Sequence, residues 1–241
     1  MEYVPPMTHP PSASHAISVG KLMCEVTQNI LWQPAASLIQ QRTPGAILRC
    51  RVGSGQATYH RFDPVGKEHR ITYGTRMIVA KHRPETAAGW LSSREISERG
   101  YFGRQLSTLN LLAHTCCHEF AHLLQHSAGQ RRRGSVHNRS FYDILDRLHA
   151  HGEASAVRDE LMRQARLSAL SISDQPFELA SAVDVLAGWR VGDRVEFGTR
   201  GSRRQGVIER INRKTATVRA SGGWQDLRYR VPASMLSRPG A

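Results

Sequence analysis

The stretch CHEFAHLLQH, residues 117–126, sets His118 and His122 four positions apart with Glu119 beside the first. On a helix these two imidazoles project from one face, one turn apart, at a separation that a single divalent ion can bridge. Glu119 can then reach a water molecule at that ion without being a ligand, the division of labour that a zinc hydrolase needs. Random placement of the chain's His and Glu residues gives this pattern only about 0.03 times in a sequence of this length. His114 and His126 continue the four-residue ladder, but each further turn swings them about 40° away from the central pair, so they are read as non-ligands.

Two histidines do not complete a zinc site: three protein ligands and one open position are required for catalysis. A metzincin would carry Gly at 125 and His at 128, where this chain has Gln125 and Ala128. The downstream candidates are His137, His149, His151 and Glu153. His137 is favoured. The Gly/Arg-rich loop GQRRRGSV turns the chain, and His137 opens a second amphipathic segment whose Phe141, Ile144, Leu145 and Leu148 can pack against the first helix. Glu153, 31 residues past His122, is the rival in the manner of gluzincins.

The elements that must hold these residues follow from periodicity. Leu109, Leu112, Cys116, Phe120, Leu123 and Leu124 predict a helix over about 107–127, anchored in the core along one face. Residues 16–41 read as helical with a break near Pro34, and AILRCRV, ATYHRF and RITYGTRMIVA as strands, the last interrupted at Gly74. Helical spacing returns from about 140 to 187. After Trp189, short alternating runs separated by Gly and Asn-Arg-Lys turns predict a small β-barrel. The fold class is therefore α+β: a tail over 1–15, a mixed domain over 16–187, and a basic all-β domain over 188–241.

Charge points to a polyanionic partner. The chain of 241 residues has a formal net charge of +13, and all but four of its 33 basic residues are Arg. Residues 188–241 alone hold 12 basic against 4 acidic residues. Arg favours forked contacts with phosphate. The four cysteines, Cys24, Cys50, Cys116 and Cys117, include no Cys-x-x-Cys pair and suggest reduced thiols in a cytoplasmic protein. The first residues lack a basic start with an apolar core, and no apolar run is long enough to span a membrane.

HEFAHLLQHSAGQRRRGSVHNRSF resembles the SprT-like (Spartan-type) zinc metalloproteases over about residues 20–165, with His118, Glu119, His122, His137 and Phe141 at the motif positions. Asn138 stands where that family usually has Gly. The resemblance implies a zincin-like metalloprotease domain in which Zn2+ is held by His118, His122 and His137, with Glu119 as catalytic base. It also implies cleavage of protein substrates on DNA, including proteins crosslinked to it. Nucleic-acid contacts are then expected from Arg131, Arg132 and Arg133 in the loop and from Arg203, Arg204, Arg210, Arg213, Lys214 and Arg219 farther on. The final 50 or so residues are similar to SH3-like or KOW-like barrels, where Trp189, Trp224 and Tyr229 could stack on bases. Tyr101, Arg139 and Tyr142 are candidates for stabilising an oxyanion, and RITYGTRMIVA for offering a strand edge to substrate. The competing expectation is a nucleic-acid-binding protein without enzymatic activity, its zinc purely structural.

Overall fold

The computed structural model describes residues 11–132, 134–179, 181–198, 203–222 and 227–239. Arg133 and Trp224 lie outside these residues, as does most of the expected tail. The protein is mixed α+β and divides into two compact units. The first takes the described residues up to Arg83 together with Leu91–Phe177, and the second takes Pro84–Trp90 with the described residues from Glu178 onward.

The first unit opens earlier than expected. Helix α1 spans Ala13–Val26 because Ser12 caps it, its hydroxyl accepting the His15 amide at 3.1 Å. The tail expectation for residues 13–15 is therefore corrected: the capping serine starts the helix before any apolar period is visible. The anticipated break is a widened π turn at Thr27–Trp32, followed by α2 at Gln33–Arg42. Pro34 explains it, since a proline ring in a helix removes one amide donor and crowds the turn before it.

Strands β1 (Ile47–Gly53), β2 (Tyr59–Asp63) and β3 (Glu68–Gly74) form a sheet in the order β1-β3-β2, with β1 parallel and β2 antiparallel to β3. The segment RITYGTRMIVA does not supply a free edge. Its strand is the central one, buried on both faces, and the chain leaves it at Gly74 for helix α3 (Thr75–Ala80). The two edges belong to β1, which packs against α1, and β2, which packs against the long helix Thr108–Ser127. A side chain at Gly74 would strike the carbonyl oxygens of Gly55 and Ala57, the latter at 2.8 Å, so only glycine fits this bend.

A short helix α4 (Pro84–Ala87) groups with the second unit, and α5 (Leu91–Arg99) returns to the first. Helix α6 (Thr108–Ser127) is the spine, capped by Ser107, whose hydroxyl accepts the Asn110 amide at 3.1 Å. It is buried along nearly its whole length and packs against β2, α7 (Arg139–Ala150) and α8 (Glu153–Leu167). Gly129, at φ 66°, ends it in the left-handed conformation that suits glycine.

The second unit is a curled antiparallel half-barrel: α9 (Ala182–Ala187), then β4 (Arg194–Phe197), β5 (Arg204–Ile211), β6 (Thr215–Ala220), β7 (Arg228–Pro232) and β8 (Leu236–Ser237), in sheet order β7-β6-β5-β4-β8. Val195, Phe197, Ile208, Val218 and Val231 fill its core, and Leu186 of α9 joins them. That contact moves the boundary from the expected 187/188 to 177/178, because α9 buries its apolar face against strands rather than helices.

Candidate metal centre

Helix α6 presents His118 and His122 side by side, and the chain after Gly129 brings His137 against both. The Nε2 atom of His137 lies 3.2 Å from Nε2 of His118 and 3.2 Å from Nε2 of His122. Two features hold His137 there. The Gln125 amide on α6 donates to the Val136 carbonyl at 3.1 Å and to Asn138 Oδ1 at 2.9 Å. Asn138 then caps α7, its Oδ1 accepting the Phe141 amide at 3.1 Å. Asn138 has φ −83°, an ordinary conformation, so the position does not demand glycine. Phe141, fully buried, backs the cluster with ring centroids 4.9, 4.3 and 4.9 Å from those of His118, His122 and His137.

These residues fit a metal ion. One neutral imidazole proton cannot serve three facing nitrogens, whereas a shared cation satisfies all of them; tetrahedral zinc–imidazole geometry itself places ligand nitrogens about 3.3 Å apart. Tautomers agree. Nδ1 of His118 meets Glu95 Oε2 at 3.0 Å, so it carries the proton and leaves Nε2 bare toward the cluster. Nδ1 of His122 is buried without a hydrogen-bond partner.

Charge is arranged in keeping. Burial, then the neighbouring His118 and His137, pulls His122 down to about 3, and burial followed by His118 lowers His137, so both are neutral near pH 7, as ligands must be. Burial also pulls on His118, but the Glu95 hydrogen bond and charge outweigh it and leave that imidazole above its ordinary value. Glu119 is 5 % exposed, burial raises its pKa, and its Oε2 has no hydrogen-bond partner. One oxygen of a buried carboxylate is thus left unsatisfied on the turn that carries two imidazoles of the cluster.

The other candidates fall elsewhere. His126 packs over Phe62 with centroids 4.5 Å apart. His114 sits behind the cluster, its Nε2 bonded to Glu95 Oε2 at 2.8 Å; Glu95, His114 and His118 thus form a second group whose ligand atoms lie within 4.8 Å of one another. His149 places Nε2 3.0 Å from His114 Nδ1. His151 ends α7, and Glu153 begins α8. Among the described residues neither of these two belongs to a metal-binding group.

Glu95 carried no sequence signal: LSSREISER is a short helix in which nothing marks one carboxylate for burial. The His60–His69 pair was equally hidden. Arg131 donates from Nη1 to His60 Nδ1 at 3.2 Å, so His60 Nε2 carries the proton it gives to His69 Nδ1 at 3.0 Å. His69 Nε2 in turn reaches Ser127 Oγ at 3.5 Å, and that hydroxyl donates to the Leu123 carbonyl at 3.0 Å. This one-way chain joins the loop to edge strand β2 and back to α6. The Arg131 charge acts on Glu119, His122 and His137.

The basic residues of the half-barrel divide. Arg203 pairs with Glu196 at 3.2 Å, Arg219 and Arg228 flank Glu209 at 2.9 and 2.8 Å, and Arg204 lies over the Tyr229 ring at 4.7 Å. Arg210, Arg213 and Lys214 are exposed, as is Arg132 in the first unit. Trp189 packs on the half-barrel core with Arg238 over its ring at 4.9 Å. Of the oxyanion candidates, the Tyr101 hydroxyl is committed to Asp146 at 2.6 Å, and Arg139 is almost fully exposed. The Tyr142 ring is 6.4 Å from that of His137.

Searches against protein-family models, curated proteins and solved structures found no match for this chain. Among the described residues no helix is long and apolar enough to cross a membrane.

Proposed function

We propose that this protein is a zinc-dependent metallopeptidase of the SprT-like type, its amino-terminal unit a zincin-like domain and its carboxy-terminal half-barrel an SH3-like or KOW-like module. The observation that carries the reading is the convergence of three Nε2 atoms, from His118, His122 and His137, beside a buried carboxylate that has one oxygen without a hydrogen-bond partner. A structural zinc site would be closed by a fourth protein ligand, and none stands in this group among the described residues.

His118, His122 and His137 would hold Zn2+, which supplies Lewis acidity, polarising a peptide carbonyl and lowering the pKa of water toward 7. Glu119 takes a proton from the attacking water and gives it to the departing amine; the desolvation that raises its pKa suits both steps. Phe141 keeps the imidazoles from turning and closes the cluster from behind. Of the expected oxyanion donors, Tyr142 has its ring 6.4 Å from that of His137, and the Arg131 guanidinium adds positive charge on the side of β2. Strand β2 is the edge that an extended peptide could pair with.

A protein substrate associated with or crosslinked to DNA accords with the charge of +13 and the exposed Arg132, Arg210, Arg213 and Lys214. The test measures metal content first, then self-cleavage and casein cleavage by wild type and Glu119→Gln, with and without single-stranded DNA. About one zinc per chain in both proteins and cleavage in wild type alone support the reading. Salt-sensitive DNA binding with no cleavage by either protein leaves a binding module instead.

A further inference from the structure

We infer that Glu95, His114 and His149 form a buried positioning array that holds the tautomer and ring angle of His118 and so tightens metal binding at the three-histidine centre. This rests on the metal-centre reading above and concerns the residues that stand behind its ligands.

Donor and acceptor roles along the array are dictated from the cluster outward. With Nε2 of His118 turned to the metal position, its Nδ1–H donates to Glu95 Oε2 at 3.0 Å. An ionised carboxylate only accepts, so His114 Nε2, 2.8 Å from the same oxygen, must also carry a proton. Nδ1 of His114 is then bare, and the group facing it at 3.0 Å, His149 Nε2, must donate. No position has two protons or none. The outer end is held too: the His149 ring stacks on Tyr101 at 3.7 Å and 5°, and the Tyr101 hydroxyl donates to Asp146 Oδ1 at 2.6 Å while accepting from Arg99 Nε at 2.9 Å.

Burial makes the arrangement consequential. Glu95 is 3 % exposed and His114 is fully buried, so water cannot replace either partner. Lys81, buried and bonded to Ser92 Oγ, faces the same array: burial pulls its pKa down to about 7, and the Glu95 charge opposes that fall. A carboxylate behind a ligating imidazole raises its basicity and fixes its orientation, and losing such a partner typically weakens metal binding about 10–100-fold. The same atoms could be read as a second metal site bridged by His118. The position of His149 speaks against that: it faces the far nitrogen of His114 instead of converging with Glu95 and His118.

The experiment uses the full chain and measures zinc stoichiometry, the zinc dissociation constant by chelator competition, and the visible spectrum of the cobalt(II)-substituted protein. Wild type is compared with Glu95→Gln and with His149→Phe, which keeps the ring stack on Tyr101 but removes the outermost hydrogen bond. Expected are one metal per chain throughout, a dissociation constant about 10–100-fold weaker with shifted cobalt bands for Glu95→Gln, and a smaller loss in the same direction for His149→Phe. Should Glu95→Gln fail to fold, the His149→Phe comparison decides. Unchanged affinity and spectra in the folded variants overturn the inference while leaving the metal centre intact. Two metals in wild type and one in Glu95→Gln overturn it in favour of a bridged pair. A wild-type protein that takes up no metal removes the metal-centre reading and this inference together.

Discussion

The Nε2 atoms of His118 and His137 stand 3.2 Å apart although 19 residues separate them in the chain. Local helix geometry explains the pairing of His118 with His122, but only the returning loop and the cap of α7 explain the third nitrogen. His137→Ala is therefore expected to lower zinc affinity by more than about 100-fold, beyond the range for a residue that merely supports a ligand, while α6 and its core stay folded. Equilibrium dialysis with circular dichroism checks both halves. Full metal retention would mean that another side chain is the third ligand.

Glu119→Gln separates stability from chemistry. The wild-type carboxylate is buried with an unpartnered oxygen, so the amide should make the metal-free protein more stable, by about 1 kcal/mol. Proteolysis should fall by about two to four orders of magnitude as the proton acceptor is lost. Urea midpoints on the metal-free proteins test the first part; a lower midpoint would show that the carboxylate makes a contact worth more than its desolvation.

Asn138 receives the Phe141 amide, the Gln125 amide and the Ser140 hydroxyl, the last at 2.7 Å. Asn138→Ala should cost about 1 kcal/mol or more as a lost cap and should weaken metal binding, because His137 precedes it directly. Asn138→Asp keeps the acceptor oxygen and should restore most of both. Equal losses in the two variants would rule out the cap as the device that places His137.

Phe141→Ala removes a fully buried ring from behind three imidazoles and should cost about 3–5 kcal/mol. Phe141→Leu should recover most of that stability yet bind zinc less tightly than wild type, since the ring contact with His122, at 4.3 Å and 30°, is gone. Chelator competition on the Leu variant is the sensitive measurement; unaltered affinity there would limit Phe141 to ordinary core packing.

Acid should loosen the first unit through the His60–His69 pair. Burial holds His60 down to about 2 and His69 to about 4, below the ordinary imidazole value near 6.5. Between pH 6.5 and about 4 the unfolded chain thus binds the proton that native His69 refuses, so stability rises with pH and is lost on acidification, by up to about 1.4 kcal/mol per pH unit for each group. His69→Gln keeps a side-chain acceptor and cannot titrate. Its urea midpoint, followed from pH 7 to 5 without metal, should fall less steeply than that of wild type; identical slopes would sink the assignment.

What could be seen in the sequence was whatever depends on local spacing. Helix α6, the pair His118 and His122, and the start of α7 all follow from periods of three and four residues. Strand order does not. The segment carrying β3 looked as able to supply an edge as any other, because pairing between distant strands leaves little local mark, yet its two-faced burial is what a central strand requires. Glu95 and His114 were unreadable for a related reason: a carboxylate 23 positions before His118 becomes its partner only through the packing of α5 on α6. The early start of α1 was legible in Ser12, but two prolines before it and the absence of an apolar period over Ala13, Ser14 and His15 hid the signal.

Gln125 spans the gap between α6 and the start of α7, gripping Val136 and Asn138 from below. The loop closed by the Arg132–Ser135 bridge, with Gly134 at φ 78°, is consequently hung on a fixed bracket. Extra residues threaded into its tip would lengthen a closed excursion whose entropic penalty grows only logarithmically, without displacing the nitrogen of His137. Diversity in length and charge can therefore accumulate beside the three-histidine cluster while the cluster itself stays where it is.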